Sequence, residues 1–97
     1  MIDKDLTEQL MNAVRVKSEV AREEIGELAI ACKKELEIAG VYVTDESDPL
    51  FKQVVKLYCK AHYGYDKDHE KFGAAYAALR DSMALSGEYE RAGDPDG

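Results

Sequence analysis

Apolar residues between positions 19 and 39 recur with the period of an α-helix, and this stripe constrains the fold more than any other feature of the chain. Their successive spacings of 4, 3, 4, 4 and 3 residues place them on one side of a helix. A stripe of this kind has to be buried against other elements. Gly40 follows at the position where glycine commonly ends a helix. The members of the stripe are Ala21, Ile25, Leu28, Cys32, Leu36 and Ala39.

Three further segments have helical spacing and are separated by turn residues. The sharpest boundary is Asp48-Pro49, since Asp is a favourable N-cap and Pro is favoured at the first helical position. No alternating pattern typical of a strand extends beyond residues 41–44. The predicted helices span approximately residues 4–14, 19–39, 49–63 and 67–85. The fold class is therefore predicted to be all-α, a small bundle of about four helices.

A chain of 97 residues fits one domain. We expect a helical domain over residues 1–86. Residues 87–97 are rich in glycine, proline and acidic residues, which predicts a flexible, disordered acidic tail. The predicted core residues are Leu28, Cys32, Leu36, Val54, Tyr58, Phe72, Tyr76 and Leu79.

The charge of the chain argues against several classes of function. There are 20 acidic and 13 basic residues, giving a formal net charge of −7. Proteins that grip DNA need a basic surface, because their affinity comes from neutralising phosphates. Sequence-specific DNA binding is therefore not expected. No apolar run approaches the ~20 residues that cross a bilayer, so no membrane association is expected either.

The residues that could carry chemistry do not form a recognisable site. Cys59, His62, Asp66, His69 and Glu70 lie close in sequence, and zinc takes Cys and His ligands, but a second pair of such ligands is missing. No motif of a nucleophilic enzyme or a phosphate-binding loop occurs. We therefore expect no catalytic, metal or cofactor site. The two cysteines, Cys32 and Cys59, are interpreted as small buried residues of a reducing cytosol.

Two rows of like charge follow the helices at intervals of four residues. One consists of Glu19, Glu23 and Glu27, and the other of Lys52, Lys56 and Lys60. Residues at this spacing form a straight ridge along a helix. Both rows are consistent with solvated faces. Alternatively, each is half of a head-to-tail contact between copies, a type of interface that closes into rings.

Residues 48–66 read DPLFKQVVKLYCKAHYGYD. The D-P-L start, the apolar helix and the YCKAHYGY ending resemble the central signature of the small head–tail connector, or DNA-packaging, family of tailed bacteriophages. The following helix, with Phe72, Tyr76 and Leu79, is similar to that family as well. The second helix, with its Ala39-Gly40-Val41 ending, is similar to that family too. The resemblance covers roughly residues 4–86.

The resemblance implies a structural protein of the virion, located at the head–tail junction after assembly in the host cytoplasm. Proteins of this family form a ring beneath the portal and part of the channel through which DNA passes. The implied partners are other copies of the chain, the portal protein and a tail-side completion protein. The resemblance transfers no catalytic residue. Tyr63 and Tyr65 are further candidates for the contact between subunits. A different interpretation is a small acidic helical regulator that binds another protein, such as a phage inhibitor or a DNA mimic.

Overall fold

The computed structural model describes residues 4–63 and 67–90, and within them it contains four α-helices and no strand. The prediction of a small all-α bundle is confirmed. Each helix begins and ends within two residues of its predicted bounds. The helices are α1 (Lys4–Ala13), α2 (Glu19–Ile38), α3 (Pro49–His62) and α4 (His69–Ser86).

Side-chain caps fix the starts of the two central helices. Ser18 precedes α2, and its hydroxyl accepts a hydrogen bond from the backbone N–H of Ala21 at 3.0 Å. Asp48 precedes α3, and its Oδ1 accepts from the N–H of Leu50 at 2.8 Å. These bonds satisfy helix-terminal donors that have no partner within the helix. The predicted Asp48 cap is thus confirmed, and Ser18 caps α2 where the sequence had indicated only a break.

Left-handed backbone positions end the first two helices. Gly40 has φ 92°, as expected of a glycine after a helix C-terminus. Arg15 has φ 61° and turns the chain at the end of α1, although residues with a side chain disfavour this region. Past this turn, the N–H of Val16 donates to the carbonyl oxygen of Met11 at 3.0 Å. The break between α1 and α2 is therefore a hydrogen-bonded corner.

Helix α3 is the centre of the bundle, because it packs against α1, α2 and α4. Its buried side meets the predicted stripe of α2 and the apolar residues of α1. Two valines of the loop after α2, Val41 and Val43, are also buried in this core. The largest fully buried side chains include Leu10, Ile25, Leu36, Phe51 and Val54.

Five of the eight predicted core residues are buried and three are not. Cys32, Leu36, Val54, Tyr58 and Tyr76 are buried. Leu28 and Leu79 are only partly buried, although they pack against the core, and Phe72 is half-buried. The last two belong to α4, which packs mainly on α3 and so leaves its outer half to solvent. On α3 the buried residues include Phe51 and Val55, while Leu50 remains 43% exposed.

The predicted disordered tail begins too early. Tyr89 is buried, its hydroxyl donates to Asp48 Oδ2 at 2.9 Å, and its carbonyl oxygen accepts from the N–H of Tyr42 at 2.7 Å. The prediction is therefore wrong for residues 87–90, which return to the bundle after Gly87 turns the chain at φ 75°. A single buried tyrosine among polar residues gave no periodic signal. Residues 91–97 lie outside the described residues.

None of the helices in the described part of the chain is long and apolar enough to cross a membrane.

Replacing Phe51 by Ala is expected to lower the free energy of unfolding by about 3–5 kcal/mol, because the ring is fully buried and its removal leaves a cavity. Phe72→Ala removes the same group from a half-buried position and should cost less than half as much. Urea unfolding of both variants measures this difference. Equal losses would show that Phe72 belongs to the core.

Tyr89→Phe should lower the free energy of unfolding by about 1–2 kcal/mol, since it removes the hydroxyl that donates to Asp48. Glu88→Gln changes the exposed neighbouring residue and serves as a control with little effect. A thermal melt of Tyr89→Phe identical to that of the unchanged protein would contradict a packed residue 89.

Candidate subunit interface

The acidic row lies on the side of α2 that faces away from the core. Glu19, Glu23 and Glu27 are all exposed, whereas the buried residues of α2 follow the opposite side of the helix. Glu24 is exposed beside them, so four carboxylates lie on little more than two turns. The predicted ridge therefore exists as a continuous acidic surface.

The lysine row lies along the outer side of α3. Lys52, Lys56 and Lys60 are each half-buried, because their aliphatic stems lie against neighbouring residues. The Lys60 ammonium lies 5.1 Å from the centre of the Phe72 ring, a cation–π contact with α4. The Lys60 side chain therefore covers part of the Phe72 ring and shields it from solvent. The ridge is therefore present, but its last member is already engaged within the chain.

Several of these charges have no ion-pair partner in the described part of the chain. Glu23, Glu27 and Lys56 make no salt bridge there. Arg22, in contrast, is bound by Glu8 at 2.6 Å, and this hydrogen bond raises the pKa of the guanidinium above its usual value. Glu19 lies a weaker 3.7 Å from the same arginine. The surface charges of the two rows are thus largely available to another molecule.

Exposed apolar side chains accompany the acidic row, and the sequence interpretation missed them. Val20, Ile30 and Ile38 of α2 are 66%, 52% and 78% exposed, and Leu50 of α3 is 43% exposed. Ile30 and Ile38 are separated by two turns, so they lie on the same side of α2. The signal was present in the sequence: these residues interrupt the polar side of a helix whose apolar stripe is elsewhere.

Of the two tyrosine candidates for the subunit contact, only Tyr63 lies within the described residues. Tyr63 follows the last residue of α3 and is partly buried against the core, so little of it is available to a partner. Tyr65 lies outside the described residues.

A hydrogen-bonded cluster holds α2, α3 and α4 together on the core side of these surfaces. The Glu35 carboxylate of α2 accepts from the Tyr58 hydroxyl of α3 at 2.7 Å and from the Tyr76 hydroxyl of α4 at 3.2 Å. The two tyrosine rings meet edge to face with centroids 5.1 Å apart. His62 packs on Tyr58 at 4.3 Å, and the Arg80 guanidinium lies 5.4 Å from the Tyr76 ring. This cluster fixes the outer faces of α2 and α3 relative to each other.

The residues considered for metal binding do not converge among the described residues. No group of three or more His, Cys, Asp or Glu side chains there could hold a metal ion, and Asp66 is not described. Cys59 is buried, while His62, His69 and Glu70 are exposed. Burial raises the pKa of both Cys32 and Cys59 from 9.0 to about 12, so neither thiol is a reactive thiolate at neutral pH.

Comparison with known proteins finds no matching family model, and no curated protein or solved structure matches the chain.

Replacing Glu35 by Gln should lower the free energy of unfolding by about 2 kcal/mol, because two tyrosine hydroxyls lose a charged acceptor. Glu37→Gln is the matched control: its side chain is equally half-buried but makes no hydrogen bond or ion pair among the described residues. Urea titrations of both variants decide the point. Equal stabilities of the two variants would rule out a structural role for the carboxylate of Glu35.

Alkaline pH should destabilise the fold. Burial raises the pKa of Cys32 and Cys59 to about 12 in the folded state, so above pH 9.0 the unfolded thiols lose protons that the folded thiols keep. The contribution of the two thiols to the free energy of unfolding is then constant below this pH and falls as the pH rises toward 12. Burial also raises the pKa of Tyr58 and Tyr76, which steepens the fall above pH 10.

Chemical unfolding at several pH values from 8 to 12 measures this slope. Cys59→Ala removes one of the titrating groups and should make the slope shallower than in the unchanged protein. Parallel pH profiles of the two proteins would show that the Cys59 thiol does not carry the effect.

Proposed function

We propose that the protein is a virion structural component, a head–tail connector that assembles as a ring beneath the portal of a tailed bacteriophage. The proposal rests on one observation: a single small, rigid helical domain carries two ridges of opposite charge. Since the ridges lie on different helices, one copy can offer its acidic ridge to a second copy and its lysine ridge to a third. A heterologous contact of this kind leads to a closed ring or a filament. The resemblance of residues 48–66 to the connector signature favours the ring.

The net charge agrees with a protein that surrounds DNA without holding it. With a charge of −7, each subunit adds to a negative potential that opposes tight binding of phosphates. A channel that bound DNA tightly would retard the passage of the genome. The portal protein and a tail-side completion protein are the other partners of this proposal, above and below the ring.

The acidic surface of α2 supports a second candidate, a small regulator that binds a basic protein in place of DNA. Four exposed carboxylates on Glu19, Glu23, Glu24 and Glu27 resemble a short run of phosphates in charge. A regulator of this kind would be a monomer or a two-fold dimer. The lysine ridge on α3 has no role in this alternative.

Self-association separates the two candidates. Sedimentation velocity from micromolar to near-millimolar concentration should show a discrete large species for a connector. Electron microscopy of that species should show annular particles with a central hole. A monomer or a dimer at every concentration would contradict the ring and favour the regulator.

The unchanged protein should also fail to bind a fluorescent 20-base-pair duplex in fluorescence anisotropy at physiological salt, because its charge repels phosphates. A change in the duplex sequence should make no difference. Sequence-dependent binding in the micromolar range would overturn the proposed passive role toward DNA.

A further inference from the structure

We propose that neighbouring copies join by packing the outer face of α2 on one copy against the lysine row of α3 on the next, with the two helices antiparallel. This proposal rests on the proposed function, because it assumes that copies of the chain associate. It adds which faces of two neighbouring copies meet. The occupant of the exposed face of α2 is thus a second copy of the same chain.

Charge complementarity is the first argument for this occupant. The row from Glu19 to Glu27 and the row from Lys52 to Lys60 each extend over eight residue steps, or about 12 Å of helix at 1.5 Å per residue. The antiparallel register sets Glu23 and Glu27 against Lys56 and Lys52. The third pair, Glu19 and Lys60, already has the partners Arg22 and Phe72 within its own chain. Antiparallel packing pairs Glu23 with Lys56 at the centre, and neither of these has an ion-pair partner in the described part of its own chain.

The exposed apolar residues supply the second argument. Charges at the rim of an interface mainly set orientation and encounter rate, and a stable contact needs apolar area as well. Ile30 is 52% exposed and lies three residues past Glu27, on the same side of α2 as the acidic row. In the antiparallel arrangement the neighbouring copy covers it beside the Lys52 end of the lysine row. Burial between copies explains why a small domain keeps this isoleucine on its outer surface.

Helix direction is decided by the ends of the helices. The N-terminus of α2 carries partial positive charge and the C-terminus of α3 partial negative charge, so the antiparallel arrangement brings opposite ends together. A parallel arrangement would pair the rows equally well but would bring like helix ends together.

Charge reversal tests the pairing of the rows. Lys56→Glu should raise the concentration needed for assembly by about tenfold or more, because it sets like charges against each other. Adding Glu23→Lys to the same chain should recover a large part of that loss. Lys71→Glu, an equal change of charge at an exposed position of α4, is the control and should assemble nearly normally. Circular dichroism confirms that each variant is folded.

The apolar part of the contact has a matched pair of variants. Ile30→Gln should also raise the assembly concentration, whereas Leu85→Gln should leave it unchanged. Leu85 is even more exposed, at 88% against 52% for Ile30, but lies on α4 outside the proposed contact. Both substitutions remove exposed apolar surface from a helix, so the fold should survive in each.

Disulfide cross-linking tests the direction of the helices. A chain carrying Glu27→Cys and Lys52→Cys should give a ladder of covalent multimers under mild oxidation, since these positions meet in the antiparallel arrangement. A chain carrying Glu27→Cys and Lys60→Cys should not. The native Cys32 and Cys59 are fully buried and do not compete for the reaction.

The outcomes separate this contact from the proposed function. If rings form but Lys56→Glu assembles normally, or the double variant is no better than the single one, the proposed contact is wrong and the connector proposal stands. A ladder from the Lys60→Cys chain alone would overturn the antiparallel direction. If the unchanged protein never assembles, the connector proposal and this contact both fail.

Discussion

The burial of one side of α3 is the constraint on which the rest of the structure depends. This helix contacts each of the other three, so its inner residues must be apolar while its outer side remains available for charge. Phe51, Val54 and Cys59 are fully buried on the inner side, and three lysines follow the outer side. The Asp48 carboxylate ties the start of this helix both to its own backbone and to Tyr89. Helix α3 thereby organises the core and presents one of the two charged ridges.

The helices and much of the core could be predicted from the sequence because their signals are local and periodic. The stripe of α2, the Asp48-Pro49 boundary and the glycine after α2 all indicate structure within a few residues. What could not be predicted depends on contacts distant in sequence. Tyr89 is buried only because Asp48 and the backbone of Tyr42 receive it. Phe72 remains partly exposed because, among the described helices, α4 packs mainly on α3.

The candidate interface was predictable in part for the same reason. Charges four residues apart on a helix must form a ridge, so both rows could be located from the sequence. Their surroundings could not. Lys60 is engaged by Phe72 of α4, and the exposure of Ile30 and Leu50 follows from how the helices pack. Leu50 is exposed because the buried side of α3 is centred on Phe51, Val54 and Val55.

The account requires that one rigid domain use two different helices to meet two neighbours. Glu35 and its two tyrosine partners hold those helices in a fixed relation, which a closed assembly of identical subunits needs. Hydrogen–deuterium exchange of the protein at low and high concentration tests this claim most directly. The account predicts that peptides covering residues 19–30 and 50–60 gain protection together on assembly, while those covering 74–86 do not. Exchange that is independent of concentration, or protection gained only by α4, would contradict it.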